Sequence, residues 1–117
     1  MTDDRRRNRL RRQLQAELAA LIASEVDDPR VGSVTVTGIR LSKDLRHARV
    51  YIHSPGSSAD HGELLRGLDS ARGFLRTRLS HRLPHLRRTP ELTFAYDTTV
   101  DAGIRVRELL DLFESEE

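Results

Sequence analysis

Leucines at 64, 68, 75, 79 and 83 hold a helical rhythm through a stretch that Gly73 interrupts, so the segment reads as two helices meeting at a bend. A glycine inside a helix costs about 1 kcal/mol relative to alanine, which disfavours a single unbroken rod. Arginines at 66, 72, 76, 78, 82, 87 and 88 ride along with those leucines. At a bend the second helix offers free N–H groups and the positive end of its dipole, and guanidinium charge beside it adds to both, a combination that favours phosphate. The same pattern also suits an ordinary helix–helix turn with a solvated basic face.

The remaining segments supply the partners for this pair. Leu10, Leu14, Leu18, Leu21, Ile22 and Val26 form one stripe of a first helix expected over residues 5–26, with Arg9 and Arg12 opposite it in solvent. Pro29 disfavours helical geometry at Asp28, and the chain should turn through Pro29-Arg30-Val31-Gly32. Residues 33–41 are rich in β-branched side chains and read as a strand. Val34 and Val36 share one face while Ile39 and Leu41 fall on the other, and a bulge near Gly38 reconciles them. After a turn at Ser42-Lys43-Asp44, the alternation of Ala48, Val50 and Ile52 predicts a second strand, antiparallel to the first. Asp60 and Glu63 resemble a helix-capping pair ahead of the bent helices, which Pro84 ends. Leu92, Phe94 and Tyr96 alternate as a third strand, and Val106, Leu109, Leu110 and Phe113 share one side of a short helix over 104–113. The order predicts an α+β fold with helices on one face of a three-stranded sheet.

With 117 residues, the chain suffices for one domain with one modest core. Cysteine is absent, which removes disulfides and thiolate metal sites. No apolar run approaches a membrane span and no signal peptide is recognisable, so a soluble, cytoplasmic protein is expected. The net charge of +2 conceals a strong asymmetry. Residues 1–12 carry six arginines against two aspartates, and residues 61–90 carry seven arginines against Glu63 and Asp69. Residues 91–117 hold eight acids against Arg105 and Arg107. A face built from the two basic segments would attract nucleic acid, with the acidic end turned away or competing for the same arginines.

Catalytic constellations are missing from the pattern. His81 and His85 are four apart, but Pro84 lies between them and no further ligand completes a zinc set. Asp60-His61 and Asp27-Asp28 suit solvated loops and caps better than an acid–base pair. Neither a Walker-type loop nor a dinucleotide fingerprint occurs, so no enzyme activity, metal or cofactor is expected. Phe74, Phe94, Tyr96 and Phe113 are expected in the core, which leaves charge and shape as the means of binding RNA.

Several ordered stretches resemble one family. They are the arginine-rich first helix, Asp28-Pro29-Arg30, Val34-Thr35-Val36-Thr37, Leu41-Ser42 with Asp44-Leu45, and Ala48 with Val50-Tyr51. Leu68 with Ser70-Ala71-Arg72-Gly73 and Leu75-Arg76, Pro90-Glu91-Leu92 with Phe94, and Tyr96-Asp97 follow. Together they resemble the bacterial ribosome-binding factor A family of small-subunit assembly factors over roughly residues 5–110. The resemblance implies a type II KH-like fold: helix-strand-strand-helix-bend-helix-strand with a short C-terminal helix. In it the usual glycine-rich loop is replaced by an Ala-x-Gly bend, here Ala71-Arg72-Gly73. Residues 1–4 are then a disordered tail, 5–97 the KH-like RNA-binding domain and 98–117 an acidic helix and tail.

The resemblance further implies binding to the 30S small ribosomal subunit, through 16S rRNA and neighbouring ribosomal proteins, in late assembly and processing of the 16S ends. A monomer suffices and no membrane is involved. Arg72, Gly73 and Arg76 are the expected bend contact, extended by Arg78, Arg82, Arg87 and Arg88 and by Arg5, Arg6, Arg7 and Arg9. Reversing Arg72 and Arg76 together should abolish binding without changing the melting temperature. Two other readings remain open from the residues alone: a general KH-like module for messages or small RNAs, and a protein-interaction domain docking through its first or last helix.

Overall fold

The computed structural model describes residues 2–55 and 61–99. Its elements are α1 (Thr2–Glu25), β1 (Thr35–Leu41), β2 (His47–His53), α2 (Gly62–Ser70), α3 (Arg72–Arg82) and β3 (Glu91–Tyr96). This is the expected α+β, type II KH-like order. The helix expected over 104–113, and with it Phe113, lies outside the described residues, as does Asp60.

Helix α1 starts at Thr2 rather than Arg5, so residues 2–4, expected as a disordered tail, belong to the helix. Asp4 falls in its first turn, where negative charge complements the dipole, and pairs with Arg7 at 3.4 Å. The predicted stripe is buried from Leu10 to Ile22, and Arg9 and Arg12 are exposed as expected. Arg7 and Arg11 extend that stripe by the same spacing and are buried as well, Arg7 with 9% of its surface accessible.

Strand β1 is shorter than expected, starting at Thr35, and pairs antiparallel with β2. The register shifts between Val36 and Gly38, leaving Thr37 as the extra residue. That bulge places Val36, Ile39 and Leu41 on one buried face, resolving the change of parity in the sequence. Its loosened backbone groups are satisfied from outside the ladder: Gln15 Nε2 donates to the Val36 carbonyl at 3.0 Å, and Thr37 Oγ1 to the Tyr51 carbonyl at 3.2 Å. Strand β3 pairs parallel with β2, in the order β1-β2-β3, and α2 and α3 form the crossover that a parallel pair requires. Leu92 joins Val50 and Ile52 beneath Leu14, Leu18, Leu68, Leu75 and Leu79, all essentially inaccessible to solvent.

Two turns carry left-handed backbone. Gly32, at φ 54°, closes the turn after Pro29, where a side chain would be strained. Leu45, at φ 61°, is a bulky residue in the same region, which costs roughly 1–2 kcal/mol. It is held there by a dense hydrogen-bonded turn. The Leu45 N–H donates to the Ser42 carbonyl at 3.0 Å, and Asp44 Oδ1 accepts from the Ser42 hydroxyl at 2.7 Å and the Arg46 N–H at 3.0 Å. Those two donors hold the Asp44 carboxyl below the usual carboxylate range.

Candidate nucleic-acid interface

The break between α2 and α3 falls two residues before the glycine that interrupts the leucine rhythm. Ala71 is the single residue between α2 and α3, and its dihedrals (φ −87°, ψ −1°) are right-handed. The chain therefore passes almost continuously from one helix to the next, and cap N–H groups donate back to the carbonyls of Gly67, Leu68 and Asp69. The free N–H groups expected at the start of α3 are thus reduced, and the positive character of the bend rests more on side chains. Gly73 is exposed, and an added Cβ would meet nothing within 4 Å. The sterically crowded glycine is Gly67. A Cβ there would lie 3.0 Å from Val31 Cγ2 and 3.2 Å from Arg30 Cβ, because α2 packs directly onto the turn over residues 28–31.

The arginines of the bent helices are mostly paired. Arg72 Nη1 lies 3.3 Å from Asp69 Oδ1, and Arg66 Nη2 lies 3.7 Å from Glu63 Oε1, both exposed pairs worth about 0–1 kcal/mol and open to exchange for phosphate. Arg76 is structural: Nε and Nη2 donate to the Thr89 carbonyl at 3.1 and 3.0 Å, and Nη1 meets Glu91 at 3.1 Å. Those bonds tie α3 to the start of β3, so reversing Arg76 would disturb the fold and not only a surface charge. Arg78 pairs with Glu25 at 3.3 Å, and Arg82 with Glu25 and Glu17 at 3.4 and 3.6 Å, fastening α3 to α1. Phe74, expected in the core, is instead 42% exposed beside the bend, with the Arg78 guanidinium 5.3 Å from its ring centroid. It follows Gly73 on the solvent face, while Leu75 and Leu79 occupy the buried one.

At the other end of α3, about 16 Å away for an eleven-residue helix, the chain forms a second basic feature. A cleft of about 860 Å³ opens between the start of α1, the β1–β2 turn and residues 85–88. Arg6 and Arg9 enter it from α1, Arg46 from the turn, and Arg87 and Arg88 from the segment after α3. Apolar surface from Leu10, Leu45 and Leu86 lies among them. The two basic segments therefore do meet, although Arg5 is exposed outside this lining and Arg7 faces inward. Arg46 is a member that sequence reasoning missed, since it follows a turn residue and belongs to neither basic run. Among the described residues no cluster of metal-ligating side chains forms, and no helix is long and apolar enough to cross a membrane.

Known proteins share this sequence and architecture. The family profile of ribosome-binding factor A matches residues 6–110. Ribosome-binding factor A of Thiobacillus denitrificans is 43% identical over 112 residues, covering 96% of this chain and 90% of that protein. The Methylobacillus flagellatus factor is 46% identical over 107 residues, covering 91% and 82%. The crystal structure of the factor from Thermus thermophilus superimposes with a TM-score of 0.68 at 34% identity, over 76% of this chain and 92% of that one. Coordinates of the T. thermophilus factor fitted into a cryo-electron-microscopy map of its complex with the 30S subunit superimpose with a TM-score of 0.61, also at 34% identity, over 72% and 87%.

Proposed function

Because the chain belongs to the ribosome-binding factor A family, we propose that it binds free 30S small ribosomal subunits through 16S rRNA and assists their late assembly, including processing of the 16S ends. The observation that carries this reading is the likeness to the Thermus thermophilus factor fitted into a 30S complex. Its action is binding without catalysis in the cytoplasm, as a monomer: docking favours one conformation of the rRNA, and the factor leaves once that conformation is stable alone.

Two basic places at opposite ends of α3 support an extended contact with folded RNA. One is the bend, where Arg72 exchanges Asp69 for phosphate and bare Gly73 allows close approach of the RNA backbone. The other is the cleft with Arg6, Arg9, Arg87 and Arg88, and Arg5 adds charge on α1. Arg76, Arg78 and Arg82 contribute mainly by holding α3 in place.

Sedimentation of the tagged protein with lysate ribosomes on a low-magnesium gradient tests the reading. Migration with free small subunits alone is expected, with affinity falling on added salt by a log–log slope of about 0.7–0.9 per phosphate contact. Even distribution over all particles would replace it with a general RNA-binding role. Salt-insensitive binding would replace it with a protein-docking role.

A further inference from the structure

We propose that the cleft between α1 and residues 85–88 receives an unstacked nucleotide of single-stranded RNA, with its base on the leucine surface and its flanking phosphates on the arginines. The proposal deepens the rRNA reading above and rests on it.

Charge sets the cleft apart from the bend. Around the bend, Arg66, Arg72, Arg76, Arg78 and Arg82 each have a carboxylate partner. Arg6, Arg9, Arg87 and Arg88 have no ion-pair partner among the described residues, and Arg46 shares the lining with Asp44, yet three separate parts of the fold bring these arginines to one cavity. Asp44, which also lines the cleft, is held ionised by its bonds from Ser42 and the Arg46 backbone, and its single negative charge leaves the five arginines in excess. Mutual repulsion of five cations around a concave surface favours an anionic occupant.

Shape narrows the occupant further. Phosphate alone needs no apolar surface, and an RNA duplex presents its backbone and keeps its bases stacked inside. Here Leu10, Leu45 and Leu86 line the space between the arginines, and the volume of about 860 Å³ falls in the range of small-molecule sites. Leu45 lines it from a left-handed backbone that the Ser42–Asp44 turn enforces. An outlier conformation held by its surroundings, at the lining of a charged cavity, is the kind of strain that accumulates at ligand sites. Apolar surface flanked by guanidinium groups can bury a base while its phosphates meet positive charge.

Fluorescence anisotropy with a labelled short oligouridylate and with a blunt RNA duplex of equal phosphate number tests the proposal. The wild-type protein should prefer the single strand. Leu45→Gly relieves the backbone strain while removing the side chain, and should weaken single-strand binding about fivefold through lost apolar burial, with duplex binding and salt slope unchanged. Arg87→Glu with Arg88→Glu changes exposed residues only, and should make the single-strand salt slope shallower by about 1.4 for two lost contacts. Melting curves identify any variant that fails to fold, and the arginine variant decides the matter if Leu45→Gly does. Equal affinity for duplex and single strand, or a salt slope unmoved by the double reversal, would overturn the cleft assignment. Wild-type sedimentation separates the two levels: subunit binding without single-strand preference removes only the cleft, while cleft-dependent RNA binding without subunit binding removes the ribosomal reading.

Discussion

Replacing Gly73 with alanine should make the protein more stable and, at the same time, a poorer binder. The backbone at this second residue of α3 is not left-handed, and a Cβ would enter open space, with nothing within 4 Å. No clash therefore offsets the helix preference of alanine and the reduced freedom of the unfolded chain, which together are worth about 0.4–1 kcal/mol. Unfolding entropy near 2.1 cal/mol/K per residue gives roughly 0.25 kcal/mol/K for a chain of this size, so the melting temperature should rise by about 2–4 °C. The hydrogen bond from Thr77 Oγ1 to the Gly73 carbonyl, 3.0 Å, involves only backbone at residue 73 and persists. Thermal unfolding followed by circular dichroism reads the first effect, and small-subunit sedimentation reads the second. If the bare backbone at the bend approaches RNA, the added methyl group weakens binding in the more stable protein. A lower melting temperature would refute the packing argument. A higher one with unchanged sedimentation would remove Gly73 from the contact.

Gly67→Ala should act in the opposite sense, lowering stability by about 1–3 kcal/mol in the same melting assay, because the new Cβ presses on Val31 and Arg30 at 3.0 and 3.2 Å. Arg76→Gln removes the charged hydrogen bonds to the Thr89 carbonyl and should cost roughly 1–3 kcal/mol in urea unfolding, whereas a purely surface arginine would cost almost nothing. Asp28 has its carboxyl lowered from 3.8 to about 2 by hydrogen bonds from the Arg30 side chain and then the Arg30 backbone N–H. The unfolded chain therefore takes up that proton first on acidification, so the stabilising contribution is complete above about pH 4 and disappears as pH falls through 2. Asp28→Asn should flatten the acid limb of a stability-versus-pH curve over that interval, and an unchanged limb would dismiss the Asp28–Arg30 pair as its source.

The sequence by itself determined most of the described elements and their buried faces, though not the exposed side of Phe74. The stripe from Leu10 to Ile22, the alternation in β2, the bend before Leu75 and even the bulge near Gly38 were legible because each is a local consequence of burying one side of a periodic backbone. The family resemblance then supplied the topology. Tertiary structure decided which charges remain available. Glu17 and Glu25 on α1 engage Arg78 and Arg82 on α3, and Thr89 takes Arg76, pairings between residues far apart in the chain that no spacing rule anticipates. The cleft is of the same kind, because Arg6, Arg46 and Arg88 become neighbours only when α1, a turn and a loop are packed around one core. Gly67 and Gly73 look alike in sequence, and only the turn lying against α2 leaves the first one little room for a side chain. Periodicity encodes what faces inward, while the contacts made by exposed charges depend on where the other elements come to rest.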